Sequence, residues 1–205
     1  ALAQRSILHY LKRKQSHCLK TKSFQWSPPI ITDMLPEGAR IYKAWLIREG
    51  DSYHLTSGDK LYVETFSHEE IERTARTVIG GYIDHNHEWW NPIHGVQIID
   101  AEPEDGYLEA YVFSWGDTPL DVAYDKGEIN GLSIEYFIRR EKADERGAMQ
   151  QLGAIVAGAA YLTGADGIPA CPHTKIELFA VSTKEAIQTK QIEQFECMHA
   201  NGQCE

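Results

Sequence analysis

The sequence predicts an α+β fold, a small and mostly antiparallel closed or partly closed β-barrel flanked by helices. Three observations lead there. Short runs rich in β-branched and aromatic residues recur through the middle of the chain, among them 39–47, 108–113 and 132–138. Two stretches carry helix-start chemistry, at Ser67 and at Thr118. A chain of 205 residues, 42% hydrophobic and 24% charged, has the size and composition of one ordinary core with appendages.

Residues 1–26 read as a basic N-terminal arm, in which Lys12, Arg13, Lys14, Lys20 and Lys22 precede Trp26-Ser27-Pro28-Pro29, whose prolines break a helix. The arm's charges follow its apolar residues and no small-residue cleavage site appears, so it does not read as a secretory signal. The main domain is expected over 27–183. It opens with a strand at 39–47 and another at 61–65. Ser67-His68-Glu69-Glu70 forms a capping box whose hydroxyl and carboxylate satisfy each other's backbone N–H, starting a helix to about Val78. Gly80-Gly81 stops it and leads into Tyr82-Ile83-Asp84-His85. Residues 95–100 and 108–113 make a hairpin about the acidic segment Glu102-Pro103-Glu104-Asp105-Gly106.

Asp117-Thr118-Pro119, with Asp121 completing the box and Gly127 past the end, predicts a short helix over about 119–126. Asn130-Gly131 predicts a turn into a strand over 132–138. Alternation there puts Leu132, Ile134, Tyr136 and Ile138 on one face, and Ser133, Glu135 and Phe137 on the other. A polar loop is expected over 139–151, a buried strand over 153–163 and a Gly/Pro-containing segment over 164–172. Residues 184–205 read as a polar C-terminal tail.

The net charge of −10 argues against a nucleic-acid binder, because phosphate recognition needs a cationic surface. The longest run of small apolar residues, 153–162, falls short of the roughly 20 a membrane-crossing helix requires. Cys18, Cys171, Cys197 and Cys204 are too few and too unevenly spaced for a disulfide framework, which places the protein in a reducing interior. Cys171, His173, Cys197, His199 and Cys204 offer thiolates and imidazoles, yet their spacing fits none of the common zinc templates. No metal and no cofactor is expected.

A serine becomes a nucleophile only when a base takes its proton, and geometry rather than spacing brings the two together. The residues that bear on this occur in one order: Asp84-His85-Asn86-His87, then Pro92-Ile93-His94-Gly95-Val96, then 108–113, Thr118-Pro119-Leu120 and Gly131-Leu132-Ser133-Ile134, with Ile168-Pro169-Ala170 after the strand that follows. That ordered set resembles the capsid-maturation (prohead) serine proteases of tailed viruses, which are similar in fold to the herpesvirus assemblins. It covers about residues 38–182.

The resemblance implies a serine endopeptidase that cleaves scaffold and major capsid proteins inside an assembling procapsid in the host cytoplasm. Ser133 would be the nucleophile and His85 its base, with His87 the alternative. The third member stays open, with Asp166 and Glu177 as candidates. No membrane and no specific nucleic acid is implied as a partner, and a homo-oligomer is left open. Position 135 departs from the family, which often carries Gly there, and no acid lies around 159–162. These departures sustain an alternative in which the chain is a protease-fold scaffold or assembly module whose triad has decayed.

Overall fold

The computed structural model describes residues 35–55, 61–165, 167–171 and 173–182. The basic arm, the C-terminal tail and Asp166 lie outside the described residues, as do Cys18, Cys197, His199 and Cys204. The fold is mostly β. Eleven strands and two helices are described: β1 (Arg40–Arg48), β2 (Gly50–Leu55), β3 (Leu61–Phe66), α1 (His68–Val78), β4 (Tyr82–His85), β5 (Val96–Glu104), β6 (Tyr107–Ser114), α2 (Pro119–Asp125), β7 (Ile129–Phe137), β8 (Arg140–Ala143), β9 (Met149–Leu152), β10 (Ile155–Thr163) and β11 (Lys175–Val181).

Seven strands form one sheet in the order β11-β1-β6-β5-β4-β10-β7, and four form a second in the order β2-β3-β9-β8. Every pairing is antiparallel except β4 with β10 and β3 with β9. The larger sheet curls until its edges meet without joining. Just before β11, the Thr174 hydroxyl accepts the Leu132 N–H of β7 at 3.1 Å, but no ladder links β7 to β11. The barrel expected from the sequence is therefore a curled half-barrel and not a closed one.

The core gathers one face of each strand in this sheet. Tyr42, Ala44, Leu46, Ile83, Ile98, Val112, Leu132, Ala159 and Tyr161 are buried together with Ile71, Ala75 and Val78 of α1 and Leu120 and Ala123 of α2. Ser67 caps α1, accepting the Glu70 N–H at 3.3 Å, but the reciprocal half of the expected box is absent. The Glu70 carboxylate is buried and instead accepts the Gly153 N–H, with Arg73 beside it, so it ties α1 to the turn before β10. At α2 the box is complete, with Thr118 and Asp121 satisfying each other.

Three local expectations change. The 139–151 segment is a hairpin, β8 and β9, closed by Asp144, whose carboxylate accepts the Arg146 and Ala148 N–H groups. Asn130-Gly131 is not a turn, because both residues lie inside β7. A Cβ at Gly131 would sit 2.7 Å from the Pro169 side chain and 3.0 Å from the Thr174 hydroxyl, so the glycine admits a close approach and not a reversal. The 95–113 hairpin turns only at Asp105 and Gly106, both at positive φ, with Glu102, Pro103 and Glu104 still in strand β5.

Candidate functional site

Register decides which side chains share the space around Ser133. Ser133 of β7 pairs with Ala160 of β10, which pairs with Asp84 of β4. One step along, Glu135 pairs with Gly158, which pairs with Tyr82. Residues directly opposite point to the same side of a sheet, and so do residues two apart on one strand. Ser133, Glu135, Asp84 and Tyr82 therefore share the face away from the core, with only Gly158 and Ala160 between them.

The small residues on β10 let side chains reach across it. The Tyr82 hydroxyl donates to Glu135 Oε2 at 2.5 Å. A Cβ at Gly158 would lie 2.8 Å from two carbons of the Tyr82 ring, so the ring fills the space a side chain would take. Burial first, then the hydrogen bond to Glu135, push the Tyr82 phenol above its ordinary range.

His85 lies on the opposite face, in register with Tyr161 and Leu132. It stacks on the Tyr161 ring at 4.8 Å, and its Nε2 lies 2.7 Å from the Thr163 hydroxyl. The sheet separates it from Ser133. The expectation that His85 serves as the base does not fit this geometry, because alternation along β4 sends residues 83 and 85 one way and 82 and 84 the other.

His87 takes the other course. Asn86 and His87 both adopt positive φ, 51° and 63°, and the Glu88 N–H returns to the His85 carbonyl at 3.0 Å. This is a tight turn of the I′ kind built without glycine, a conformation in which Asn and His are among the more tolerant residues. Asn86 anchors it, since its N–H donates to the Tyr161 carbonyl and its Oδ1 accepts the Thr163 N–H at 2.9 Å. The turn carries His87 to the Ser133 face, where Nδ1 meets Glu135 Oε1 at 3.2 Å. A carboxylate only accepts, so Nδ1 carries the hydrogen and Nε2 is left as the basic nitrogen.

Glu135 thus receives one donor on each oxygen. Asp84 receives none. It is fully buried and neither of its oxygens has a hydrogen-bond partner. Burial first, then the nearby charge of Glu135, push the Asp84 carboxyl up to about 7, against a smaller pull from the His87 backbone N–H, which lies outside hydrogen-bond geometry.

Ser133 itself is half-buried, with no side-chain hydrogen bond among the described residues. It stands one same-face position from Glu135, about 7 Å along the strand. A cleft of about 460 Å³ opens beside His87, walled by Asn86, Leu162, Thr163, Gly164, Ala165, Gly167 and Ile168. Of the candidates for a third member, Glu177 lies on β11, exposed and ion-paired to Lys175 at 2.6 Å, and no ladder joins it to β7. Asp166 lies outside the described residues. Cys171 is buried, its sulfur accepting the Arg48 N–H, and desolvation raises its thiol.

Alternation along β7 places Glu135 on the Ser133 face, and its role there follows from the His87 and Tyr82 contacts and not from the residue type alone. The same alternation, applied to β4, would have put Asp84 there and His85 elsewhere. The Tyr82 contact had no signal along the chain, because it depends on β10 lying between β4 and β7. Comparison with known proteins finds no matching family model, no matching curated protein and no matching solved structure.

Proposed function

We propose that the protein is a serine endopeptidase of the capsid-maturation kind, with Ser133 as nucleophile, His87 as base and Glu135 as the acid that orients His87. One observation carries this reading: a serine and a carboxylate two positions apart on β7 and a histidine from the turn after β4 share one face, with the histidine held by the carboxylate through Nδ1. His87 Nε2 would take the Ser133 proton as Oγ attacks a peptide carbonyl, and Glu135 would stabilise the imidazolium that forms. The imidazole then returns the proton to the leaving amine, and water resolves the acyl-enzyme. In the resting arrangement His87 sits against Glu135 with no hydrogen bond to Ser133 among the described residues, and the reading requires the two to meet when substrate fills the site. The substrates proposed are scaffold and major capsid proteins within an assembling procapsid in the host cytoplasm.

The test is acylation of Ser133 by a fluorophosphonate, read by mass spectrometry, with cleavage of co-expressed scaffold as the biological readout. Ser133→Ala is expected to fold normally, losing no more than about 1 kcal/mol, while cleavage falls by several orders of magnitude. His87→Ala is expected to abolish cleavage and His85→Ala to leave a measurable fraction. Equal cleavage by folded Ser133→Ala and the unmodified chain would eliminate the reading and favour a non-catalytic assembly module.

A further inference from the structure

Asp84 is the polar group that the proposed reaction does not use, and it is the most deeply buried one in the cluster. Its side chain is fully enclosed, without a hydrogen-bond partner and without an ion pair among the described residues. A carboxylate in that position would bear a desolvation cost of several kcal/mol with nothing to offset it, so such groups neutralise instead. The groups that face it are Tyr82 on its own strand, Glu135 from β7, and His87 and Glu88 from the turn, while the Tyr161 phenol senses its charge from the other side of the sheet. All but His87 are acids. Between the two carboxyl groups, the charge belongs on Glu135, which accepts from the Tyr82 hydroxyl and the His87 ring, and the proton belongs on Asp84, which accepts from neither.

We propose that Asp84 is a positioning residue: a neutral carboxylic acid whose O–H is directed at Glu135 and holds that carboxylate under the His87 ring. A second negative charge beside Glu135 is unfavourable in this enclosed position, so Asp84 keeps its proton over the lower part of the working pH range. The upward displacement of the Asp84 carboxyl agrees, with burial as its largest cause. As pH rises through about 7 the proton is lost, and repulsion between the carboxylates loosens Glu135. The consequence for activity rests on the serine-peptidase reading. The location of the proton does not.

Two measurements on the full chain separate these. Isotope-edited infrared spectroscopy of protein labelled at Asp carboxyl carbons is expected to show one carboxyl still protonated at pH 5.5, titrating near 7 and missing from Asp84→Asn. The rate of Ser133 acylation by a fluorophosphonate is expected to decline above pH 7 in the unmodified chain. Asp84→Asn, which keeps a donor toward Glu135, is expected to hold the rate within about threefold at pH 6.5 and to lose the alkaline decline. Asp84→Ala, its folding checked by melting, should be slower by about tenfold or more. Aspartates that all titrate in the ordinary range near 3.9 would overturn the proposal, as would Asp84→Ala labelling as fast as the unmodified chain. Absence of labelling in every variant, with the infrared signal present, would count against Ser133 and for the proton assignment.

Discussion

At the scale of single residues the candidate site depends on what is missing from β10. A side chain at 158 would meet the Tyr82 carbonyl at 2.6 Å and its ring at 2.8 Å, contacts that real Cβ atoms do not make. Gly158→Ala must therefore push the Tyr82 ring aside or part β4 from β10. Overpacking of this kind costs about 1–3 kcal/mol, and each kcal/mol lowers the melting temperature by roughly 2–4 °C in a chain of this size. The ring's displacement also takes a donor from Glu135, so Ser133 acylation should slow along with the loss of stability. Tyr82→Phe separates the two effects, since it keeps the ring and removes only the hydroxyl. It should slow acylation with a smaller change in melting temperature. Unchanged acylation in both variants would show that Tyr82 does not support Glu135.

At the scale of elements, what the sequence disclosed follows from how each element is stabilised. The cap at Thr118 and the alternation in β7 were legible because local chemistry alone specifies them. β8 was not, since Arg140–Ala143 is exposed throughout and becomes a strand only by pairing with β9. β2 was hidden the same way, as a polar segment defined by its partner β3. β11 did carry alternating Ile176, Leu178 and Ala180, a signal that was there to be used. The α2 cap reaches further than its own helix. Asp121 is buried and accepts from the Ser114 and Thr118 hydroxyls, from the Thr118 N–H, and from the Tyr42 hydroxyl of β1 at 2.6 Å. Burial alone would raise its carboxyl, but these donors outweigh it and hold Asp121 below the usual range. A carboxyl lowered by folding stabilises the native state above its unfolded value, near 3.8, and that contribution is lost as pH falls through the folded value. Asp121→Asn should therefore lower the melting temperature at pH 7, and the gap from the unmodified protein should narrow toward pH 3. A gap independent of pH would mean that Asp121 acts through packing and not through its charge.

At the scale of the whole molecule, Ser133 lies on an edge strand whose position is fixed by curling of the sheet. The strand next to it, β10, holds β7 from one side. On the other side the described contact is not a ladder but the Thr174 hydroxyl accepting the Leu132 N–H, one residue before Ser133. Thr174 is buried, and Gly131 packs against the same hydroxyl. The gap between the edges of the half-barrel is thus bridged at this point by a side chain, next to the candidate nucleophile. Thr174→Val keeps the shape and removes the acceptor. Leaving a buried N–H unsatisfied costs about 1–3 kcal/mol, which melting will detect. If the seam sets where Ser133 stands, acylation should fall by more than the change in folded fraction accounts for, because a displacement of about 1 Å at a reacting group costs on the order of a hundredfold in rate. Thr174→Ser, which restores the hydroxyl while losing only a methyl group, should recover most of the rate. A Thr174→Val protein that melts early but acylates at full speed when folded would show that β10 alone positions Ser133, and that the seam serves stability only.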